Sequence, residues 1–322
     1  QSLVATKAAR CVWAAQGRGI ADFASRRTQG TDAALKMARA SYIAGFSSTS
    51  NVLAASIYGM PPAGTMAHSF ISSFPSELEA FRAYAASFPA RTILLVDTYD
   101  TIAGTWNAVQ VAKEMEADGH HLTAIRLDSG DFDQLSRQVR KILDDSGLDH
   151  VKILASGGLD EYELETLVNN GAPIDLFGVG TKAGVSADAP WSDMAYKLVC
   201  FDGRPVMKLS PDKVSLPGAK QVYRTKDSSG MFAKDIIAID DEELPGGLPV
   251  LEEVMKDGRR TGPSATLDEV RQRFQDDFAA LGERFKVLNN PPRFPVSVSG
   301  QLERLTAEVR EEVLGINVSD SD

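Results

Sequence analysis

Cysteine is nearly missing from this 322-residue chain, which has two, Cys11 and Cys200, beside four histidines and three tryptophans. Cysteines this far apart match no metal-ligand spacing and no disulfide framework, and they fit a chain kept in a reduced cytoplasm. Long apolar runs are missing too. No stretch approaches the roughly 18 residues that suggest a membrane span, and no charged-then-apolar leader opens the sequence. Positive charge is in deficit, with 34 Lys and Arg against 44 Asp and Glu, a formal net charge of -10 and a pI near 5.0. Such a chain attracts neither nucleic acid nor acidic lipid through its bulk field, so any anionic substrate must meet local cations. What is present, 43% hydrophobic and 24% charged residues, is the composition of an ordinary globular protein. Its length predicts one large domain and a smaller one.

The opening "QSLVATKAARCVWAA" reads as the middle of a helix. From residue 90 onward, short unbroken apolar runs alternate with helical stretches. The runs are "RTILLVDTYD" (91–100), "LTAIRLDSGD" (122–131), "VKILASGGLD" (151–160) and "IDLFGVGT" (174–181), as expected for strands buried on both faces. Between them lie helical segments such as "DFDQLSRQVRKILDDSG", with Leu135, Val139, Ile142 and Leu143 on one face and a stop at Gly147. Successive strands joined by helical crossovers are parallel, in a barrel or a doubly wound sheet. Every polar cluster follows a strand, at the carboxyl end where both architectures place their sites.

After about residue 195 the texture changes. "YKLVCFDGRPVMKLS", "KVSLPGAKQVYRT" and "SSGMFAKDIIAID" are short runs broken by Asp-Gly, Pro-Gly and Ser-Gly, read as hairpins of a β-rich module. Thr266 and Glu269 then form a capping box that opens a helix with apolar positions Val270, Phe274, Phe278, Leu281 and Phe285. The acidic tail "NVSDSD" is expected to fray. The division that follows is an α/β barrel over 1–195, a β-rich part over 196–265 and C-terminal helices over 266–322.

Several turns have the residues for anion chemistry. In "RLDSGD", Arg126 can grip a carboxylate or phosphate through two N–H groups, while Asp128 and Asp131 could accept ribose hydroxyls or hold hydrated magnesium. "ASGGLDE" supplies Ser156, Gly157 and Gly158 ahead of a helix, where bare backbone can approach phosphate, and "FGVGTKAG" repeats the arrangement with Gly178, Gly180 and Thr181. Two consecutive glycine turns behind an Arg-Asp turn predict a phosphorylated ligand. "DFASRR" sets Phe23 beside Arg26 and Arg27, a pairing suited to a flat anionic ring. "SSTSNVLA" offers Ser48, Thr49, Ser50 and Asn51 as neutral donors or as a helix cap. The GxG of "GVGTKAG" is no dinucleotide fingerprint, because its third glycine comes one position late and no acidic residue ends a following strand. Walker A, HExxH and GxSxG motifs are absent.

Taken in order, "DFASRR", "GFSSTSNVLA", "GTMAHSF", "VDTYDT", "RLDSGD", "SGGLDE", "FGVGT", "SADAP…YKLV" and "GRPVMKLSPDKVSLPGAKQVYR" resemble the nicotinate phosphoribosyltransferases of NAD salvage. The likeness runs from residue 1 to about 225. It implies an irregular TIM-like α/β barrel with a second, smaller β-rich domain, and a homodimer. It also implies a reaction in which nicotinate and phosphoribosyl pyrophosphate give nicotinate mononucleotide and pyrophosphate, with Mg2+ as cofactor and ATP as cosubstrate. By the same resemblance His68 is the residue phosphorylated from ATP, with the small Ala67 and Ser69 leaving room for the group. Phe23, Arg26, Ser50, Thr65 and Arg126 would hold nicotinate. Ser129, Gly130, Ser156, Gly157, Gly158, Gly178, Gly180 and Thr181 would hold phosphoribosyl pyrophosphate, and Asp97 and Asp128 would lie near the ribose, with Asp128 a possible Mg2+ ligand. Nicotinamide-preferring relatives place an aspartate where Ser50 aligns.

The likeness also implies a segment ahead of residue 1 that completes the second domain and lends a tyrosine to the partner's site, and this sequence does not contain it. The competing readings are an inactive, binding-only barrel, a nicotinamide phosphoribosyltransferase, and a quinolinate phosphoribosyltransferase needing neither ATP nor a phosphohistidine.

Overall fold

The computed structural model describes residues 1–315, so the "NVSDSD" tail lies outside the described residues. Two compact units emerge. One comprises Gln1–Ser192 with Thr266–Gln275, the other Asp193–Ala265 with the chain from Asp276 onward.

The first unit is a curled, six-stranded, all-parallel half-barrel. Its strands are β1 (Gly19–Asp22), β2 (Ser48–Thr49), β3 (Ile93–Leu95), β4 (Ala124–Leu127), β5 (Lys152–Ser156) and β6 (Leu176–Val179), in the order β2-β1-β6-β5-β4-β3. Register is set by pairs such as Ile20 with Phe177, Ile125 with Ile153 and Ala155 with Phe177. Among the described residues no ladder joins β2 to β3, so the sheet stays open there. Leu94, Leu95, Ile125, Leu127, Ile153 and Phe177 are all buried, which is why their segments read as unbroken apolar runs.

Helix α1 (Ser2–Ala14) precedes the strands, α2 (Thr31–Ala44), α3 (Val52–Tyr58), α4 (His68–Ser72), α5 (Glu77–Ser87), α6 (Thr101–Ala117), α7 (Phe132–Asp145) and α8 (Glu161–Asn169) connect them, and α9 (Thr181–Gly184) follows β6. Much of the acidity in the turns after the strands caps these helices. Asp100 accepts from Ala103 N, Asp131 from Gln134 N, and Asp160 forms a capping box with Glu163. Asp131, a candidate ribose or magnesium group by sequence, is thereby an N-cap. Helix α7 ends as its sequence predicts, with Gly147 at φ 73°. A buried ion pair ties α1 to α8: Lys7 Nζ lies 2.9 Å from Glu161 and 2.7 Å from Asp188, with Lys7 and Glu161 only 3% and 0% exposed. Arg10 adds a second cation, its Nε donating to Glu161 at 2.7 Å.

Helix α10 (Leu267–Ala280) opens on the expected box, with Glu269 accepting from Thr266 N at 2.7 Å and Thr266 Oγ1 accepting from Glu269 N at 3.2 Å. Its residues up to Gln275 belong to the first unit, where Arg271 donates to the carbonyls of Tyr42 (2.5 Å) and Phe46 (2.7 Å) at the end of α2. The helix is shorter than its apolar pattern predicts. Leu281 lies past its end, and Phe285 sits in a separate 3-10 turn, Glu283–Phe285.

In the second unit, β7 (Cys200–Phe201) and β8 (Arg204–Pro205) form a hairpin about Asp202-Gly203, both at positive φ. Strands β9 (Lys220–Lys226), β10 (Phe232–Ile239), β11 (Leu248–Pro249) and β14 (Val296–Val298) make a sheet in the order β11-β9-β10-β14, and β12 (Met255–Lys256) pairs with β13 (Arg259–Arg260). The Ser-Gly signal does mark the β9–β10 turn. Pro217-Gly218 does not turn a hairpin but leads into β9. Ala238, Leu288, Leu302 and Val309 are buried, the last two on α11 (Gly300–Leu314), whose cap Ser299 donates to Glu242 at 2.5 Å.

Candidate active site

At the carboxyl ends of the half-barrel strands lies a cavity of about 760 Å³ within the first unit. It gathers residues from turns far apart in the chain. Phe23, Arg26, Arg27, Ser50, Thr65 and His68 come from the first 70 residues. Arg126, Asp128, Ser156, Gly157, Gly158, Gly178, Gly180 and Thr181 come from the turns after β4, β5 and β6. The wall carries three arginines and one aspartate beside His68, so the local cations that a net-negative chain needs are in one place.

Arg126 is the hub. It lies at the end of β4, where alternation turns its side chain out of the apolar core. Its Nε donates to Ser156 Oγ (2.7 Å), Nη1 to Thr65 Oγ1 (2.8 Å) and Nη2 to Asp128 Oδ1 (2.6 Å). The guanidinium sits over the Phe23 ring at 5.2 Å, so the ring also supports the cation. Ser156 Oγ passes its own hydrogen to Asp128 Oδ1 at 2.6 Å. Burial alone would raise the Asp128 carboxyl, but the Ser156 hydroxyl, the Arg126 charge and hydrogen bond, and the nearby His68 together hold it below the usual carboxylate range.

His68 begins α4. Its Nδ1 lies 3.0 Å from Thr98 Oγ1, and its Nε2 lies 3.6 Å from Asp128 Oδ2. The side chain is 44% exposed, open enough to meet a ligand. Asp97, Ser129 and Gly130 are not on the cavity wall. Asp97 Oδ2 accepts from Asp128 N (3.1 Å) and Ser129 Oγ (2.5 Å), which puts Asp97 behind the Arg126–Asp128 turn. Its Oδ1 is buried with no hydrogen-bond partner among the described residues. Gly130 has φ 86°, and a Cβ there would meet Leu135 Cδ1 at 2.7 Å, so it shapes the entry to α7.

Two family matches decide the relationship. The model described as the nicotinate phosphoribosyltransferase (NAPRTase) family matches residues 19–212, and that of the nicotinate phosphoribosyltransferase C-terminal domain matches residues 248–306. The chain belongs to the nicotinate phosphoribosyltransferase family. It is 48% identical over 325 residues to nicotinate phosphoribosyltransferase pncB2 of Mycobacterium tuberculosis (strain H37Rv), covering 99% of this chain and 69% of that protein. It is 36% identical to nicotinate phosphoribosyltransferase of Bacillus subtilis (strain 168), covering 93% of this chain and 67% of that one. The crystal structure of human nicotinic acid phosphoribosyltransferase superposes with a TM-score of 0.84 at 28% identity, covering 96% of this chain and 74% of the human chain.

Within this family member, sequence reasoning missed two supports of the site. Asp22, fully buried at the end of β1, accepts from Ala24 N (2.8 Å) and Thr49 Oγ1 (2.7 Å) and so fixes the turn that presents Phe23, Arg26 and Arg27. Burial pushes its carboxyl up, against those two donors. Thr98, which holds the His68 ring, is the other. The signal for Asp22 was an acidic residue directly after the apolar "GIA", and none marked Thr98.

Gly157 also has a structural reason that the sequence does not show. Its φ is 103°, and a Cβ there would lie 2.0 Å from the Asp128 carbonyl oxygen. The glycine therefore lets the turns after β4 and β5 touch each other, before any ligand is considered. Gly157→Ala is expected to destabilise the protein by about 3 kcal/mol or more, read by urea unfolding. An unchanged midpoint would mean that the two turns do not approach this closely.

Proposed function

We propose that this chain is a nicotinate phosphoribosyltransferase of NAD salvage, coupled to ATP through a phosphate on His68. The observation that carries the reading is the Arg126 fork, set among two glycine turns and His68 in one cavity. A guanidinium has five N–H donors. Three are used strongly, one on Nη2 is spare, and one on Nη1 makes only a 3.5 Å contact with the Met66 carbonyl. Those two are left for the carboxylate of nicotinate, with Thr65 and Ser50 nearby as hydroxyl donors and Phe23 below.

In the reaction the pyridine nitrogen forms a bond to the anomeric carbon as the bond from that carbon to the pyrophosphate oxygen breaks. Positive charge builds on the ribose and negative charge on the leaving group. Arg26 and Arg27, which make no ion pair among the described residues, are the cations available to the pyrophosphate. The turns of Gly157–Gly158 and Gly178–Gly180, with Thr181, receive the 5-phosphate. Asp128, held ionised, faces the developing ribose cation. Asp128 lines the cavity, and with its Oδ1 serving Arg126 and Ser156 its Oδ2 is the oxygen that would hold a hydrated Mg2+, whereas Asp97 Oδ1 is buried behind that turn. Bound there, the ion would neutralise pyrophosphate charge. We include in this reading a homodimer, and a place in the cytoplasm, whose reducing conditions suit two free cysteines.

The test is product analysis with nicotinate, phosphoribosyl pyrophosphate, Mg2+ and ATP. Nicotinate mononucleotide and pyrophosphate should form in equal amounts. Nicotinamide should be used about 100-fold less efficiently, since Ser50 supplies no carboxylate for an amide N–H and the wall's one aspartate is already engaged. Equal use of nicotinamide would overturn the specificity, and absence of any mononucleotide would overturn the function.

A further inference from the structure

On the amino-terminal side of the half-barrel strands, away from the cavity, three of the groups that most often bind transition metals converge. Glu116 lies in the last turn of α6, His121 in the connection from α6 to β4, and His150 in the connection from α7 to β5. Their ligand atoms all lie within 4.8 Å of one another: His121 Nδ1 is 3.8 Å and His150 Nε2 3.9 Å from the same Glu116 oxygen. The two imidazoles meet edge to face, with centroids 5.4 Å apart. We propose that Glu116, His121 and His150 form a zinc site that clips these two connections together.

The donor set is that of zinc, two neutral imidazoles and one carboxylate, with a fourth position open to water. Zinc bonds of about 2.0–2.1 Å place tetrahedral ligands roughly 3.3 Å apart, so each side chain need swing inward by only about half an ångström. His121 is 70%, His150 41% and Glu116 36% exposed, so part of each side chain is free to move toward the others.

The backbones that carry them are held. His120 N returns to the Met115 carbonyl (2.9 Å) with Gly119 at φ 79°, and Leu122, next to His121, is 1% exposed. His150 stands between buried Leu148 and Val151, whose own N–H groups bond to Leu143 and Leu148. A site on fixed backbone with mobile tips loses little entropy on closing. His120 is not part of the set, because it lines a different cavity beside Met115.

Zinc titration of the full chain against a chromophoric chelator, with Co2+ substitution as a geometric probe, tests the proposal. One equivalent of zinc should bind, and Co2+ should give the intense visible absorption of a four-coordinate centre. Bound zinc should raise Tm by a few degrees, because it binds the folded connections and not the unfolded chain. His121→Asn and His150→Asn should each weaken zinc by about 100-fold and abolish that rise, without altering the metal-free Tm or the transferase activity. His68→Asn serves as the control for zinc captured in the catalytic cavity and should bind zinc as the wild type does. Undiminished zinc binding by the His121→Asn, His150→Asn double variant, or loss of the equivalent in His68→Asn, would overturn the site.

Discussion

If His68 accepts phosphate from ATP as proposed, His68→Asn is expected to abolish phosphoryl labelling by ATP, and to lower ATP hydrolysis by roughly 10^3-fold or more. The argument starts from the two ring nitrogens. In the tautomer whose Nδ1–H donates to Thr98 Oγ1, 3.0 Å away, the lone pair is left on Nε2, the nitrogen 3.6 Å from Asp128 Oδ2. In the proposed step, attack by Nε2 on the terminal phosphorus of ATP would form an N–P bond and release ADP. The ring then carries a proton on Nδ1, and that charge is compensated by Asp128, which its neighbours keep ionised. Asparagine retains a polar side chain in the same place but has no nucleophilic nitrogen. The label should be acid-labile and base-stable, since a phosphoramidate hydrolyses in acid while a serine phosphate survives, and both substrates together should discharge it. Some ATP-independent synthesis should remain, because Arg126, the glycine turns and Asp97 are untouched. Label that persists in the variant, or that maps to His120, His121 or His150, would remove His68 from this role.

The half-barrel was legible wherever burial on both faces left an unbroken apolar run. Leu94–Leu95, Ile125, Ile153 and Phe177 announce their strands because both sides of the sheet are covered. The strands β1 and β2 did not announce themselves. Ser48–Thr49 is two polar residues long, and its membership depends on pairing with Ala21–Asp22 and not on any periodicity of its own. The same limit applies to α10. Its capping box and apolar stripe are local, but its attachment to the first unit rests on Arg271 reaching carbonyls more than 220 residues earlier. For the site, residue types at strand ends were enough to find Arg126, Asp128 and the glycine turns. Their mutual geometry was not readable. That Gly157 makes room for the Asp128 carbonyl, that Asp97 stands behind the wall, and that Phe23 lies under Arg126 are facts about segments that meet only after folding.

Arg126 should prove as costly to lose as His68, and in a way that separates binding from folding. Arg126→Met keeps a stem of similar length but removes the fork, so kcat/KM for nicotinate should fall by about 10^2–10^3-fold, as expected for losing a charge-assisted pair of hydrogen bonds from a partly buried site. Arg126→Lys keeps the charge yet cannot reproduce three fixed donors, and should recover no more than about tenfold of that loss. Stability should respond through Asp128. In the wild type its folded carboxyl lies below the ordinary value, so it contributes stability that is present above the unfolded pKa of about 3.9 and is lost as pH falls through the lower folded value. Without Arg126 one main cause of that depression is gone and burial pushes the carboxyl up, so ionised Asp128 stabilises the fold less or opposes it. The urea midpoint of Arg126→Met should therefore lie well below that of the wild type at pH 7. The gap should narrow as pH is lowered toward about 3.5, where the wild type begins to give up the same contribution. A gap that stays constant with pH would mean that Asp128 is not the group through which Arg126 supports the site, and a normal kcat/KM for nicotinate in Arg126→Met would remove the fork from substrate recognition altogether.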